Sequence, residues 1–361
     1  MKIAVNAIPF TRWSGIEVFL YKLLKNWPES YQDEITVFSN QEFAPFLKDL
    51  PDFIKIRIIP FKKTGRLSFF LFQQLKLAKI LKQEKYDFLF CASLLAPWNF
   101  KRKIISIHDA APFVLKNENS LAGKLFWRLN LFFNRRSSLK IITVSEFSKR
   151  ELIENLKFSP EDIEIIYNGS PAKNVSPTKK GNYLLVIGNA RPRKNLERLL
   201  EAFFLMLEKK PDLKLIISGK CDERMEEIIG KTRKQTNENL KFTGFVSEEE
   251  KRKLMTEAAI LVFPSLYEGF GIPIVEAGAC GTPVACSDIP SFREIAGEAA
   301  IFFNPLDKND IAEKILSLLD SPKKLQDLSE LGKVNAARFD WQISAAKLAG
   351  IIHSYENTPD K

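Results

Sequence analysis

Apolar residues along this chain recur in two registers. Short runs dense in Ile, Val, Leu and Phe alternate with longer segments whose apolar positions return every three or four residues. The first register is that of strands buried on both faces, the second that of amphipathic helices. Their alternation predicts βαβ units and parallel sheets. In the first half the strand runs are KIAVNAI, EITVFSN, IKIRIIP, YDFLFCA, KIISIHD and KIITVSE, with helices predicted at Glu17–Trp27 and Leu67–Gln83 among others. In the second half they are NYLLVIG, LKLIISG, LKFTGFV, AILVFPS, TPVACSD and AAIFFNP, interleaved with predicted helices at Asn195–Lys209, Ser247–Glu257, Pro273–Cys280 and Lys308–Leu319. Between the halves lies NGSPAKNVSPTKKGN, Asn168 to Asn182, whose Pro, Ser, Gly and Lys content is that of a linker. The expected fold is α/β, with two doubly wound domains facing each other across a cleft. Ligands of such sheets bind beyond the carboxyl ends of the strands, at helix N-termini.

A length of 361 residues suits two cores, and 45% hydrophobic with 27% charged residues is ordinary for a water-soluble chain. The apolar run in MKIAVNAIPF is too short for a signal peptide, and no window has the roughly 20 apolar residues of a spanning helix. Cys91, Cys221, Cys280 and Cys286 show no CxxC spacing and are read as reduced core residues of a cytoplasmic protein.

The charge is uneven. Residues 1–180 hold 29 Lys and Arg against 17 Asp and Glu, a balance of +12, while the remainder sums to −2. Much of the excess falls in Phe61 to Lys85, with seven basic residues and one acid, and in Leu121 to Lys140, with five basic residues and no acid. Basic helical stretches rich in Phe and Leu are expected to touch an anionic membrane surface, on the inner face of the cytoplasmic membrane. No nucleic-acid-binding motif accompanies them, so nucleic acid is not an expected partner.

Two segments carry candidate chemistry. VFPSLYEGFGIPIVEAGACGTPVACSD runs strand, glycine loop, helix and strand. Pro273 suits a first helical turn, and the orphan N–H groups there make an anion site. Glu268 and Glu276 flank that turn, and a carboxylate is suited to gripping vicinal hydroxyls of a sugar or ribose. VIGNARPRKNLERLLEAF places Arg191, Arg193 and Lys194 where a helix begins. Cations there oppose the helix dipole unless an anion sits among them, and a diphosphate would resolve the conflict. Neither GxGxxG nor GxxxxGK[ST] follows any strand, which argues against an ordinary NAD enzyme and a P-loop hydrolase.

These stretches, in this order, resemble the retaining glycosyltransferases of family 4, which have the GT-B architecture. The likeness covers nearly the whole chain and is strongest over residues 183–306, where Glu268 and Glu276 form the family's E-x7-E. The resemblance implies an N-terminal acceptor domain of residues 1–175, a nucleotide-sugar domain of 176–340, and a last helix, about 341–361, that crosses back onto the first domain. It implies catalytic roles for His108, Glu268 and Lys194. Glu276 would hold the donor ribose, Glu268 hydroxyls of the transferred sugar, and Lys194 with Arg193 the diphosphate. Backbone at Gly244, Phe245 and Val246 would meet the nucleobase, and Phe270, Gly271 and Ile272 would offer N–H groups. Relatives carry an arginine where this chain has Asn189, so Arg191 or Arg193 is expected to substitute. Relatives often have two glycines where this chain has Ser14 and Gly15, leaving close approach to the phosphate to Gly15. His108, ending ISIHDAAPF, would contact the sugar near its 6-position. ITVSEFSKREL and IYNGS match further segments of the family.

The expected activity is transfer of a hexose from a nucleotide diphosphate sugar, GDP-mannose or another, to a glycan or lipid-linked hydroxyl in surface-polysaccharide synthesis. No Asp-x-Asp occurs, and neither a metal nor another cofactor is expected. The alternatives are a phosphorylase or sugar-phosphate enzyme on the same fold, and a non-catalytic sugar- or lipid-binding relative.

Overall fold

The computed structural model describes residues 1–11, 14–60, 66–115, 120–170, 180–232 and 238–356. Two compact units form, one of Met1–Asn168 with Asp340–Lys361 and the other of Gly169–Phe339. The first therefore ends seven residues before the boundary expected from the sequence, and most of the linker stretch, 171–179, lies outside the described residues.

The first unit holds seven strands among its described residues. They are β1 (Lys2–Asn6), β2 (Glu34–Ser39), β3 (Ile54–Ile58), β4 (Phe88–Cys91), β5 (Lys103–Ser106), β6 (Lys140–Thr143) and β7 (Ile163–Ile165). They pair in the order β3-β2-β1-β4-β5-β6-β7, every pair parallel. The second holds β8 (Tyr183–Ile187), β9 (Lys214–Ser218), β10 (Leu240–Gly244), β11 (Ile260–Phe263), β12 (Val284–Ser287) and β13 (Ala300–Phe303), ordered β10-β9-β8-β11-β12-β13 and likewise parallel. In both sheets the chain lays strands to one side, returns, and continues on the other. The loops after β8 and β11 thus leave neighbouring strands in opposite directions, which opens a crevice at the carboxyl edge.

All twelve strand runs read from the sequence are strands. The structure adds β7, whose IEI is too short to stand out, yet it completes the sheet beside β6. The helices shift by a residue or two. Gly15–Lys25 and Leu196–Lys209 start and end near the expected positions, and Lys308–Leu319 matches them. Ser247 is the cap of Glu248–Glu257, closing a capping box with Glu250.

The segment expected as one helix over Leu67–Gln83 is interrupted. Arg66–Leu71 and Ala78–Gln83 are α-helical, but Phe72–Leu77 between them is a π-helix. The wider turn lets Gln73 donate to the Leu95 carbonyl at 3.1 Å, and Gln74 accept from the Trp98 N–H at 2.7 Å. A 3.6-residue pattern cannot show such a bulge, because its cause lies in residues twenty positions away.

The last helix, Trp341–His353, belongs to the first unit. Trp341 meets Phe19 edge-on at 6.2 Å, and Ser344 donates to the Tyr167 carbonyl at 2.8 Å. In the second unit a Cβ on Gly278 would lie 2.6 Å from the Gly332 carbonyl oxygen, so the Ile272–Ala279 and Pro322–Ala336 helices cross with their backbones in contact. Cys91, Cys280 and Cys286 are core residues, but Cys221 is exposed. It sits in the polar Lys220–Asp222 turn after β9, beyond the end of the apolar run.

One cation lies wholly inside the first unit. Lys103 opens β5, and its Nζ donates to the carbonyls of Pro97 and Phe100, both at 2.9 Å, and to Ser137 Oγ at 2.6 Å. Burial holds its pKa down to about 7, while the unfolded chain keeps the ordinary 10.5. Between those values the unfolded state binds more protons, so stability rises with pH there, by up to roughly 1.4 kcal/mol per pH unit. Urea unfolding at pH 7, 8 and 9 should show wild-type stability climbing relative to Lys103→Met, and parallel curves would refute that assignment.

Candidate active site

The loop after β8 carries Gly188, Asn189 and Arg191 into a short 3-10 turn, Pro192–Lys194, before the Leu196–Lys209 helix. Asn195 joins turn to helix in the left-handed conformation, with φ of 56°. Its amide donates to the carbonyls of Pro264 at 3.1 Å and Pro305 at 2.7 Å, and its Oδ1 accepts from Arg198 at 2.9 Å. One buried asparagine thus fastens the loops after β8, β11 and β13 together. Asn tolerates that backbone better than other side chains and supplies donors and acceptor at once.

The loop after β11 is pinned to the same turn. Leu266 N–H donates to the Arg193 carbonyl at 2.7 Å, and Arg193 Nη1 donates to the Tyr267 carbonyl at 3.1 Å. This places Glu268 against both cations, with Lys194 Nζ at 2.5 Å and Arg193 Nη1 at 3.2 Å. Lys194 also stands 5.1 Å from the Phe263 ring. The three charged side chains are only 18%, 16% and 11% exposed for Lys194, Arg193 and Glu268. The basic loop is therefore no solvated surface. Burial alone would push the Glu268 carboxyl up, but Lys194 and Arg193 outweigh it and hold the group below its usual range.

The anion that the cations beside this helix start called for is thus Glu268 itself in the unliganded chain. Two donors leave part of a carboxylate's acceptor capacity unused. Of the two arginines expected to stand in at Asn189, Arg193 is the one that reaches the acid. Arg191 is exposed at the start of the turn, and Asn189 turns its Oδ1 to the Arg191 N–H at 3.2 Å.

Beyond Glu268 the chain enters the Ile272–Ala279 helix through Gly271, whose φ is +106°. A Cβ there would also lie 3.0 Å from the Phe292 ring, so glycine is required twice over. Pro273 falls in the first turn as expected. The N–H groups of Gly271 and Ile272 precede any helical acceptor. The Phe270 side chain is core, meeting Phe339 edge-on at 5.5 Å.

Glu276 does not share the cations of Glu268. Lys251, on the capped Glu248–Glu257 helix, reaches it at 2.8 Å and reaches Glu248 at 2.9 Å. Burial pulls the Lys251 pKa down, but the two acids more than restore it. Lys251 and Asn195 escaped the sequence reading because the partners that tie them to other loops and helices, Glu276 for the one and Pro264 and Pro305 for the other, lie 25, 69 and 110 positions away. The loop after β10 joins the edge through Gly219 N–H, which donates to the Gly244 carbonyl at 3.0 Å. Gly244 has a positive φ of 72°, and Phe245 stands out into solvent.

In the first unit His108 follows β5. Its ring meets Phe19 edge-on at 4.7 Å, and its carbonyl accepts from Ser148 Oγ at 2.9 Å. Nε2 is enclosed and has no hydrogen-bond partner among the described residues, and burial lowers the imidazole pKa to about 4, so the ring is neutral at pH 7. Gly15 begins the Gly15–Lys25 helix after Ser14, whose hydroxyl donates to Glu17. The residues just before them, Arg12 and Trp13, lie outside the described residues.

Two family models divide the chain between them. Residues 13–172 match Glycosyltransferase Family 4, and residues 171–334 match Glycosyl transferases group 1. The chain belongs to glycosyltransferase family 4. This glycosyltransferase is 29% identical over 261 residues to the O-antigen chain mannosyltransferase B of Escherichia coli, spanning 68% of each chain. It is 28% identical over 242 residues to the O-antigen chain mannosyltransferase RfbU of Salmonella typhimurium, spanning 67% of this chain and 66% of that one. The structure of Anabaena HepE solved with UDP and glucose superposes with a TM-score of 0.76 over 98% of this chain and all of that one, at 19% identity. The fold is GT-B, with two parallel-sheet Rossmann-like units, and the enzyme is a hexosyltransferase.

Since the folded Glu268 pKa lies below the unfolded one, the glycosyltransferase holds this stabilisation at neutral pH and loses it as pH falls through the folded value. Glu268→Gln leaves two enclosed cations without their anion and should cost about 3 kcal/mol at pH 7. The deficit should shrink below pH 4.5, the ordinary glutamate value, in urea unfolding curves. A deficit independent of pH would contradict the ion-pair account.

Proposed function

We propose that the enzyme moves mannose from GDP-mannose to a hydroxyl of a glycan or lipid-linked acceptor, with retention of the anomeric configuration. The observation that carries this reading is the Glu268–Lys194–Arg193 cluster, set beside a helix start at the switch point of the second sheet. The anomeric carbon–oxygen bond to the diphosphate breaks, the bond to the acceptor oxygen forms on the same face, and the acceptor proton passes to the departing phosphate oxygen. Lys194 and Arg193 hold the diphosphate and stabilise the charge that develops on it, aided by the N–H groups at Gly271 and Ile272. This electrostatic role is already organised before substrate arrives.

Glu268 orients both cations and has acceptor capacity left for hydroxyls of the transferred sugar. Glu276, steadied by Lys251, takes the ribose hydroxyls, and the turn at Gly244–Val246 takes the base. The Nε2 of neutral His108, without a partner among the described residues, supports a contact to a sugar hydroxyl, because a buried ring nitrogen left so is costly. Mannose is favoured by the mannosyltransferases among the relatives, and a nucleotide diphosphate donor by the UDP found in HepE. The positive charge of Lys194 and Arg193 suits a reaction without a divalent ion.

A thermal-shift screen of GDP-, UDP-, dTDP- and ADP-sugars should give its largest upward shift with GDP-mannose, since a bound ligand stabilises by mass action. Lys194→Ala and Glu268→Ala should each lower kcat on the order of 10²- to 10³-fold while still giving a cooperative melt. The product anomer, read by NMR, should match the donor's, and chelator should leave turnover unchanged. Wild-type turnover in both variants would sink the assignment.

A further inference from the structure

The Leu121–Ser137 helix has an unusually polar inner face and an apolar outer one. Its buried positions are Gly123, Asn130 and Asn134, small or polar residues spaced seven and four apart and so on one face. Asn134 donates to the Leu94 carbonyl at 3.0 Å. At the helix end, Ser137 accepts from the buried Lys103 at 2.6 Å and donates to the Phe133 carbonyl at 2.9 Å. The first unit thus holds this helix by these hydrogen bonds and by Trp127 and Leu131, which pack against its core.

Its opposite face carries Leu121, Leu125, Leu129 and Phe132, spaced four, four and three apart and 85%, 60%, 46% and 50% exposed. A surface helix ordinarily presents the reverse arrangement. The apolar face continues sideways. Phe133 stacks on Trp98 at 3.9 Å, Trp98 meets Phe70 at 4.7 Å, and Leu71 and Leu75 beyond it are exposed. The charges among these residues have one sign: Lys124, Arg128, Arg135 and Arg136 are on the helix, with no acid between Leu121 and Lys140. The Arg136 guanidinium lies 3.9 Å from the Phe132 ring. A cavity of about 120 Å³ opens beside the helix, lined by Pro112, Phe113, Val114, Leu115, Lys124 and Arg128. Such a volume holds several waters, and so a phosphate group.

We propose that this face docks the protein on an anionic lipid bilayer. The outward leucines enter the acyl boundary along a helix roughly 26 Å long, and Lys124 and Arg128 take headgroup phosphates at the cavity. A second copy of the chain is a poor occupant, because pairing this face with itself would set like charges together. The docking face deepens the lipid-linked acceptor reading by naming the surface where such an acceptor is met. It rests on that reading for its purpose alone, since binding does not require turnover.

Flotation of the full chain with vesicles tests it. The protein should rise with vesicles containing phosphatidylglycerol and remain below with phosphatidylcholine alone. Leu125→Ser with Leu129→Ser, and separately Lys124→Gln with Arg128→Gln, should each reduce the bound fraction's partition on the order of tenfold. Both pairs should keep the wild-type melting temperature and wild-type turnover with a water-soluble acceptor. The proposal is overturned if the wild type floats with neither vesicle, as a face for a soluble acidic protein would require, if it floats equally with both, or if both double variants float like wild type. Flotation without any sugar transfer by the wild type would count against the transferase reading and leave the docking face standing.

Discussion

The second unit is organised around a buried carboxylate that needs a cation. Glu268 leaves β11 in a loop too enclosed for a lone charge, and the nearest positive charge comes from the loop after β8, seventy-odd positions earlier. Those loops meet because β8 and β11 are neighbours in the sheet, at the place where the strand order reverses. Satisfying the acid therefore fixes the Pro192–Lys194 turn, the approach to Gly271 and the start of the Ile272–Ala279 helix in one step. The Asn195 amide, holding Pro264 and Pro305, adds the hydrogen bonds that keep the loops in register. A site assembled this way has its charges paired with no ligand present, so its loops are already fixed by the pairing.

The first unit solves the opposite problem. Its Leu121–Ser137 helix buries two amides beside the inward-packed Trp127 and Leu131 and exposes leucines on the other side, so the amides need hydrogen bonds inside. Asn134 donates to the Leu94 carbonyl and Asn130 to the Phe126 carbonyl of its own helix, while at the helix end Lys103 ties Ser137 to the carbonyls of Pro97 and Phe100. A buried polar seam and an exposed apolar face are two sides of one helix orientation. The same orientation brings Lys124 and Arg128 to a cavity wall.

Much of this was legible in the residues. Strands buried on both faces write themselves as unbroken Ile, Val and Leu runs, which is why twelve strands are evident and only the three-residue β7 is not. Pro273 and the Ser247–Glu250 pair mark helix starts through purely local chemistry, so they could be placed to within a residue or so. The π-helical turn at Phe72–Leu77 and the polar inner face of the basic helix could not be read in this way. Each depends on which distant backbone groups a side chain finds. A helical wheel of Leu121 to Ser137 shows two faces but does not say which one the sheet covers.

Sequence alone determined the class of sheet, its βαβ rhythm and the family, and it singled out Glu268, Glu276, Arg193 and Lys194 as candidates. Burial preference and turn chemistry are local properties, and local properties survive in a string of residues. Tertiary structure decided the pairing: Glu268 with Lys194 and Arg193, Glu276 with Lys251, and Arg193 in preference to Arg191. Charge–charge contact falls off over a few ångströms, and only the folded sheet sets which loops come that close.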